Sequence, residues 1–182
     1  MLAGLFSRKQ REEILASILS NPSRGYRVRE IANEFGVSVG SASQFLALLK
    51  KNRIMRRRGD VFFVDADHPL TRAIKIVLNV ADLDISPLKR IPGVQGIGLY
   101  GSWASGTNRE DSDVDLWVKV KKRVGEEIIA KASSQLHKRT KHKVQVMILD
   151  PKRNEQLKKE DPIFYYSLVY GSVVLYGESL TD

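Results

Sequence analysis

The chain of 182 residues is 42% hydrophobic and 28% charged, the composition of a soluble globular protein with one large or two small domains, and its lack of cysteine excludes disulfides and thiolate metal sites. His68, His137 and His142 have no zinc-ligand spacing, no apolar run approaches the roughly 20 residues that span a bilayer, and MLAGLF is too short before Arg8-Lys9 for a signal peptide. A cytoplasmic protein without a membrane partner is expected, and any metal would be held by oxygen. The net charge of +9 is uneven: residues 1–64 hold 12 Lys and Arg against 5 Asp and Glu, a net of +7, while residues 65–182 hold 18 against 16, a net of +2. That asymmetry points to an anionic partner for the first third, nucleic acid above all.

From Arg8 to Leu19, helical spacing places Ile14, Leu15, Ile18 and Leu19 on one face, and Asn21-Pro22 stops the helix. Val28, Ile31, Ala32 and Phe35 then form a second apolar stripe that ends at Gly36. Ser38 is placed to cap a third helix, which turns Ala42, Phe45, Leu46 and Leu49 inward. RIMRRRGDVFFVD follows as two short strands around Gly59-Asp60, a dipeptide favoured in two-residue hairpins. This order resembles the winged helix-turn-helix family over residues 8–64. The resemblance implies duplex DNA as partner, with Val39, Ser41, Ser43 and Gln44 presented to bases or phosphates and Arg56, Arg57 and Arg58 flanking the backbone. Winged helices also serve as protein-protein modules and often dimerise, so a homodimer is a further expectation.

After His68-Pro69, Leu70, Ile74, Val77 and Leu78 mark the buried face of a linking helix, and the two prolines between Asp82 and Pro92 mark the domain boundary. The expected organisation is residues 1–64 as the first domain, 65–85 as a linker helix and 86–182 as the second domain.

In the second domain VQGIGLY reads as a buried strand, and Gly101-Ser102 turns it into a short helix through Trp103, Ala104 and Ser105 that Gly106 ends. Backbone N–H groups and a hydroxyl at such a turn suit phosphate, and Gly101 permits close approach. TNRED loops into DVDLWVKV, where Asp113 and Asp115 stand two apart on one strand, so both carboxylates face one side about 6 to 7 Å apart. Two hard oxygen ligands on one face can hold a divalent cation, and magnesium is the usual companion of nucleotide phosphates.

The string G-S-x-A-x-G-x5-S-D-x-D-L, at Gly101, Ser102, Ala104, Gly106, Ser112, Asp113, Asp115 and Leu116, resembles the signature of the DNA polymerase beta nucleotidyltransferase superfamily. More narrowly it resembles the minimal prokaryotic, archaeal-type members fused to a winged helix. The resemblance implies two domains, an N-terminal winged helix that is mostly α with a β wing and a C-terminal α/β nucleotidyltransferase fold with a mixed sheet. It further implies a nucleoside triphosphate at Gly101, Ser102, Ser112 and Arg109, magnesium at Asp113 and Asp115, and these two aspartates as the catalytic pair. A third carboxylate usually stands on a neighbouring strand. After a helix from Gly125 to His137, the strand KHKVQVMIL offers Gln145 there, a weak metal ligand that carries no charge and accepts no proton. Asp150, five residues on, lies on the opposite face roughly 16 Å away.

Lys119 and Lys122 are further candidates for phosphate, and the tail gives a helix with Phe164, Tyr165, Leu168 and Val169, then a strand over 173–176. Three readings stay open: transfer of a nucleoside monophosphate to an acceptor hydroxyl, a DNA-binding regulator with an impaired transferase domain, and an antitoxin beside a helical toxin partner.

Overall fold

The computed structural model describes residues 4–6 and 9–182. The chain divides into two compact units at Lys75/Ile76.

The first unit opens with α1 (Lys9–Ser20), which buries Ile14, Leu15, Ile18 and Leu19; Arg8, the expected first residue of this helix, lies outside the described residues. A two-residue strand, β1 (Gly25–Tyr26), leads into α2 (Val28–Glu34) and α3 (Val39–Lys51). Ser38 caps α3, its Oγ accepting from the Ser41 N–H at 3.1 Å, and Ala42, Phe45, Leu46 and Leu49 turn inward. Strands β2 (Met55–Arg58) and β3 (Val61–Val64) pair with Arg58 opposite Val61, so Gly59-Asp60 is a two-residue turn. Gly59 has φ +60°, which a β-carbon disfavours. The sheet has a third strand that hydropathy does not announce: β1 pairs antiparallel with β3, giving the order β1-β3-β2.

The helix α4 (Pro69–Asp82) runs through the division, giving its first half to one unit and its second half to the other. Its buried face matches the expected one only in part: Ile74 is buried, and Leu70 and Leu78 are half-buried. Val77 is 58% exposed, whereas the polar Thr71, Lys75 and Asn79 are buried at helical spacing. The segment 82–92, expected as a boundary, folds into the second unit instead: it forms α5 (Ser86–Lys89), and Leu83, Ile85, Leu88 and Ile91 enter the core.

The second unit continues through β4 (Val94–Tyr100), α6 (Gly101–Ser105), β5 (Val114–Val120), α7 (Glu126–Thr140), β6 (Val144–Leu149), α8 (Pro151–Glu160), α9 (Pro162–Gly171) and β7 (Val173–Gly177). Its sheet is mixed, in the order β6-β5-β4-β7, with β5 and β6 parallel and the other pairs antiparallel. Alternation along β5 assigns the two faces. Val114, Leu116, Val118 and Val120 pack with Leu88, Ala132 and Leu136, while Trp117 packs with Leu149, Leu168 and Leu180. By the same period of two, Asp113 and Asp115 lie on the Trp117 face. Among the described residues no helix is long and apolar enough to cross a membrane.

Candidate functional site

The site is assembled where β4 ends and β5 begins. Tyr100, the last residue of β4, lies opposite Asp115 in the antiparallel pair, so the chain leaves β4 directly beside that carboxylate. Gly101 turns there with φ +69°, and a β-carbon at this position would stand 2.7 Å from Asp115 Oδ2. Both the backbone angle and the approach of the carboxylate disfavour a larger residue. The turn begins α6, whose first N–H groups have no partner within the helix.

The descent from α6 to Asp113 is held tightly. The Ser102 carbonyl accepts from the Thr107 and Asn108 N–H groups at 2.9 and 3.2 Å. Asn79 donates to the Trp103 carbonyl at 2.8 Å and exchanges amide hydrogen bonds with Asn108 at 3.0 and 3.3 Å, all buried. Buried amides satisfied in this way fix one arrangement of the loop, because breaking the pair strands polar groups away from water. Ser112 closes the last turn: its Oγ accepts from the Arg109 N–H at 2.8 Å. The Ser112 hydroxyl oxygen is therefore engaged by its own loop, and Arg109 is exposed beside it.

Gln145 lies opposite Asp115 in the parallel register of β5 and β6, on the same face as both aspartates. Its Nε2 donates to Asp113 Oδ2 at 2.7 Å, and Lys143 Nζ lies 3.3 Å from the same oxygen. These two donors, Gln145 first, hold the Asp113 carboxyl below its ordinary range. Asp115 moves the other way: burial first, then the neighbouring Asp113 charge, pushes its carboxyl up. Lys143 was not apparent from the sequence as part of the site, although it shares strand parity with Gln145.

The remaining candidates lie elsewhere. Lys119 is bound to the C-terminal tail, with Nζ 3.0 Å from Glu178 Oε2 and 2.7 Å from the Asp182 carbonyl oxygen. Lys122 is exposed past the far end of β5. Asp150 caps α8, accepting from the Arg153 N–H at 2.8 Å. Trp103 is buried and meets the His142 ring edge-on at 4.9 Å. Phe164 packs edge-on against Tyr100 at 6.2 Å.

Among the described residues no cluster of three or more His, Cys, Asp or Glu side chains could hold a metal ion alone. The donor set is two carboxylates and one amide. That set fits magnesium when substrate phosphates supply further oxygens, since this ion commonly takes only one or two carboxylates from protein. It does not form a cage for the ion by itself.

The family described as "Polymerase beta, Nucleotidyltransferase" matches residues 85–176, half of the chain. The chain belongs to the polymerase beta nucleotidyltransferase family. Its matched segment contains the Gly101 turn, both aspartates and Gln145. No curated protein matches the chain. Several solved structures show a weak likeness. A chain of the tri-AMPylated HEPN toxin of Shewanella oneidensis in complex with MNT antitoxin is 19% identical, with 57% of this chain and 73% of that one covered and a TM-score of 0.40. A toxin–antitoxin with AMP-PNP gives 21%, 58%, 73% and 0.39, and the toxin–antitoxin MntA-HepT gives 19%, 56%, 73% and 0.39, in the same order. Likeness at this level carries none of their properties to this chain.

Proposed function

We propose that the second unit binds a nucleoside triphosphate with magnesium at Asp113 and Asp115 and transfers its nucleoside monophosphate to an acceptor hydroxyl. The observation that carries this reading is the placement of both carboxylates on one sheet face, with the Gly101 turn against Asp115. The α6 N–H groups and the Ser102 hydroxyl would receive phosphate, and the buried Asn79–Asn108 pair would keep that turn in place. When bound, magnesium supplies neutralisation of the triphosphate charge. In the reaction the acceptor oxygen bonds to the α-phosphorus, the bond to the β-phosphate oxygen breaks, and pyrophosphate leaves. Gln145 cannot take the acceptor proton, so it passes to water and transfer is slow. Incubating the intact chain with each nucleoside triphosphate labelled at the α-phosphate, with magnesium and cell extract, should yield a labelled acceptor. Absence of label with all four nucleotides would sink the transfer reading.

One observation favours a second reading, a DNA-binding regulator or antitoxin whose transferase domain is impaired. Gln145 donates to Asp113 Oδ2 at 2.7 Å where a carboxylate would repel it, so an oxygen that would ligate the metal is already engaged by the protein itself. In that case nucleotide binds and no transfer follows.

We further propose that residues 1–64 form a winged helix that binds duplex DNA. The net charge of +7, the absence of acidic residues in α3 and the exposure of Val39, Ser41, Ser43 and Gln44 on it support this reading. The three arginines of β2 would contribute unequally. Arg56 and Arg58 share one side of the strand and Arg57 takes the other; Arg56 lies 3.3 Å from Asp65, and Arg57 donates to the Gly59 carbonyl at 2.7 Å. Reversing the charge of all three should weaken binding to every sequence alike and lower the slope of log affinity against log salt by up to about 3. Equal salt dependence in wild type and variant would assign this unit to protein contacts.

A further inference from the structure

The end of the second unit's sheet opposite Asp113 and Asp115 carries another concave surface. Two adjoining depressions of about 390 and 370 Å³ meet at Pro92 and Ile128, between α5, the β5–α7 connection and α7. The floor is apolar: Pro87, Ile91, Val124 and Ala132 are buried, and Ile128 stands between the depressions at 43% exposure. The rim holds Arg90, Lys121, Lys122, Arg123 and Lys131, and no acidic residue lines either depression. None of these five side chains forms an ion pair or hydrogen bond with a described residue. Glu126 and Glu127, in the first turn of α7, stay outside the lining. From Asp115 to Lys121 the strand advances about 20 Å, so the surface is separate from the nucleotide site.

An apolar floor ringed by uncompensated cations is an unusual use of surface. Like charges gathered there repel one another, and Ile128 is left partly exposed to water above the apolar floor, so an occupant with an apolar face and acidic flanks relieves both. The surrounding topology narrows its form. The edge strands of the sheet are β6 and β7, whereas the groove borders the ends of β4 and β5, which are interior. It therefore offers no unpaired strand on which an extended peptide could add, and recognition has to come from side chains. Two depressions either side of one isoleucine suit the i, i+3, i+4, i+7 anchors of a helix.

We propose that this groove docks an acidic amphipathic helix of a partner protein. The inference does not rest on nucleotide binding, and the two fail separately. A labelled synthetic helix of about 18 residues, with leucines at those anchor positions and glutamates on the flanks, is titrated with the intact chain by fluorescence anisotropy at low salt. The same leucine pattern flanked by lysines is the control. The acidic helix should bind at least roughly tenfold tighter than the basic one. Ile128→Asp, and separately the pair Lys122→Glu and Arg123→Glu, should each weaken it by a similar factor while leaving nucleotide affinity unchanged. The charge pair lies on exposed side chains and so keeps the test valid should Ile128→Asp disturb packing. Equal binding of both helices, no binding of the acidic helix, or wild-type affinity in both variants would overturn the proposal. Cosedimentation with phosphatidylglycerol vesicles, in place of helix binding, would overturn it in favour of a membrane.

Discussion

Replacing both Asp113 and Asp115 by asparagine is expected to abolish magnesium-dependent binding of nucleoside triphosphate while the protein stays folded. An asparagine oxygen is neutral, so the double variant loses both ionic ligands of a site that has only two. Changes outside the ligand set already weaken metal sites by roughly 10 to 100-fold, and loss of both ligands should exceed that. The fold should tolerate the change because the Asp115 charge opposes folding, while the Asp113 charge is supported only by exposed hydrogen bonds from Gln145 and Lys143. Burial and Asp113 hold the Asp115 carboxyl above its ordinary range, so its ionised form is disfavoured in the folded chain and the amide removes that strain. Asp113 is more open to solvent, and asparagine keeps an oxygen that can still accept from Gln145. Calorimetric titration of nucleotide, alongside thermal unfolding, checks both halves. Equal nucleotide affinity in wild type and variant would remove the metal-site reading, and a collapsed unfolding transition would make the aspartates structural.

The second large effect is expected from Gln145→Asp. Its register opposite Asp115 and its hydrogen bond to Asp113 put the new carboxylate on the face of the other two. Three carboxylates repel when the site is empty and bind a divalent cation more tightly when it is filled. The variant should therefore melt lower than wild type without magnesium and recover with it. Transfer should rise on the order of 10² to 10⁴-fold, because an ionised carboxylate can take the acceptor's proton and an amide cannot. If magnesium affinity and transfer are both unchanged in an active protein, Gln145 has no part in the site and the proton acceptor lies elsewhere.

Much of the second unit was legible because its chemistry is local. The Gly101 to Leu116 string holds the turn, the loop and the strand in sixteen consecutive residues, and strand parity placed both aspartates on one face, while Gln145 was expected beside them only from the family resemblance. Contacts between distant positions were not legible. Lys143 reaches Asp113 across 30 residues, and Asn79 meets Asn108 across 29, with no hydropathy signal for either. Hydropathy placed Ile74 of α4 in the core correctly but read Val77 as core and Thr71, Lys75 and Asn79 as solvent-facing, where the structure has the reverse. The helix α8 buries no residue and so leaves no apolar stripe; Asp150 as cap and Pro151 in its first turn start it. Strand β1 is too short to carry a pattern, and its pairing with β3 defines it.

The central claim is that Asp113 and Asp115 hold a divalent cation together with a nucleoside triphosphate. Its most direct test is a calorimetric titration of the intact chain with each nucleoside triphosphate, with magnesium present and with magnesium removed by chelator. The account predicts that at least one nucleotide binds measurably with magnesium and that its binding is lost on chelation. Binding of equal strength under both conditions, or none under either, would contradict it.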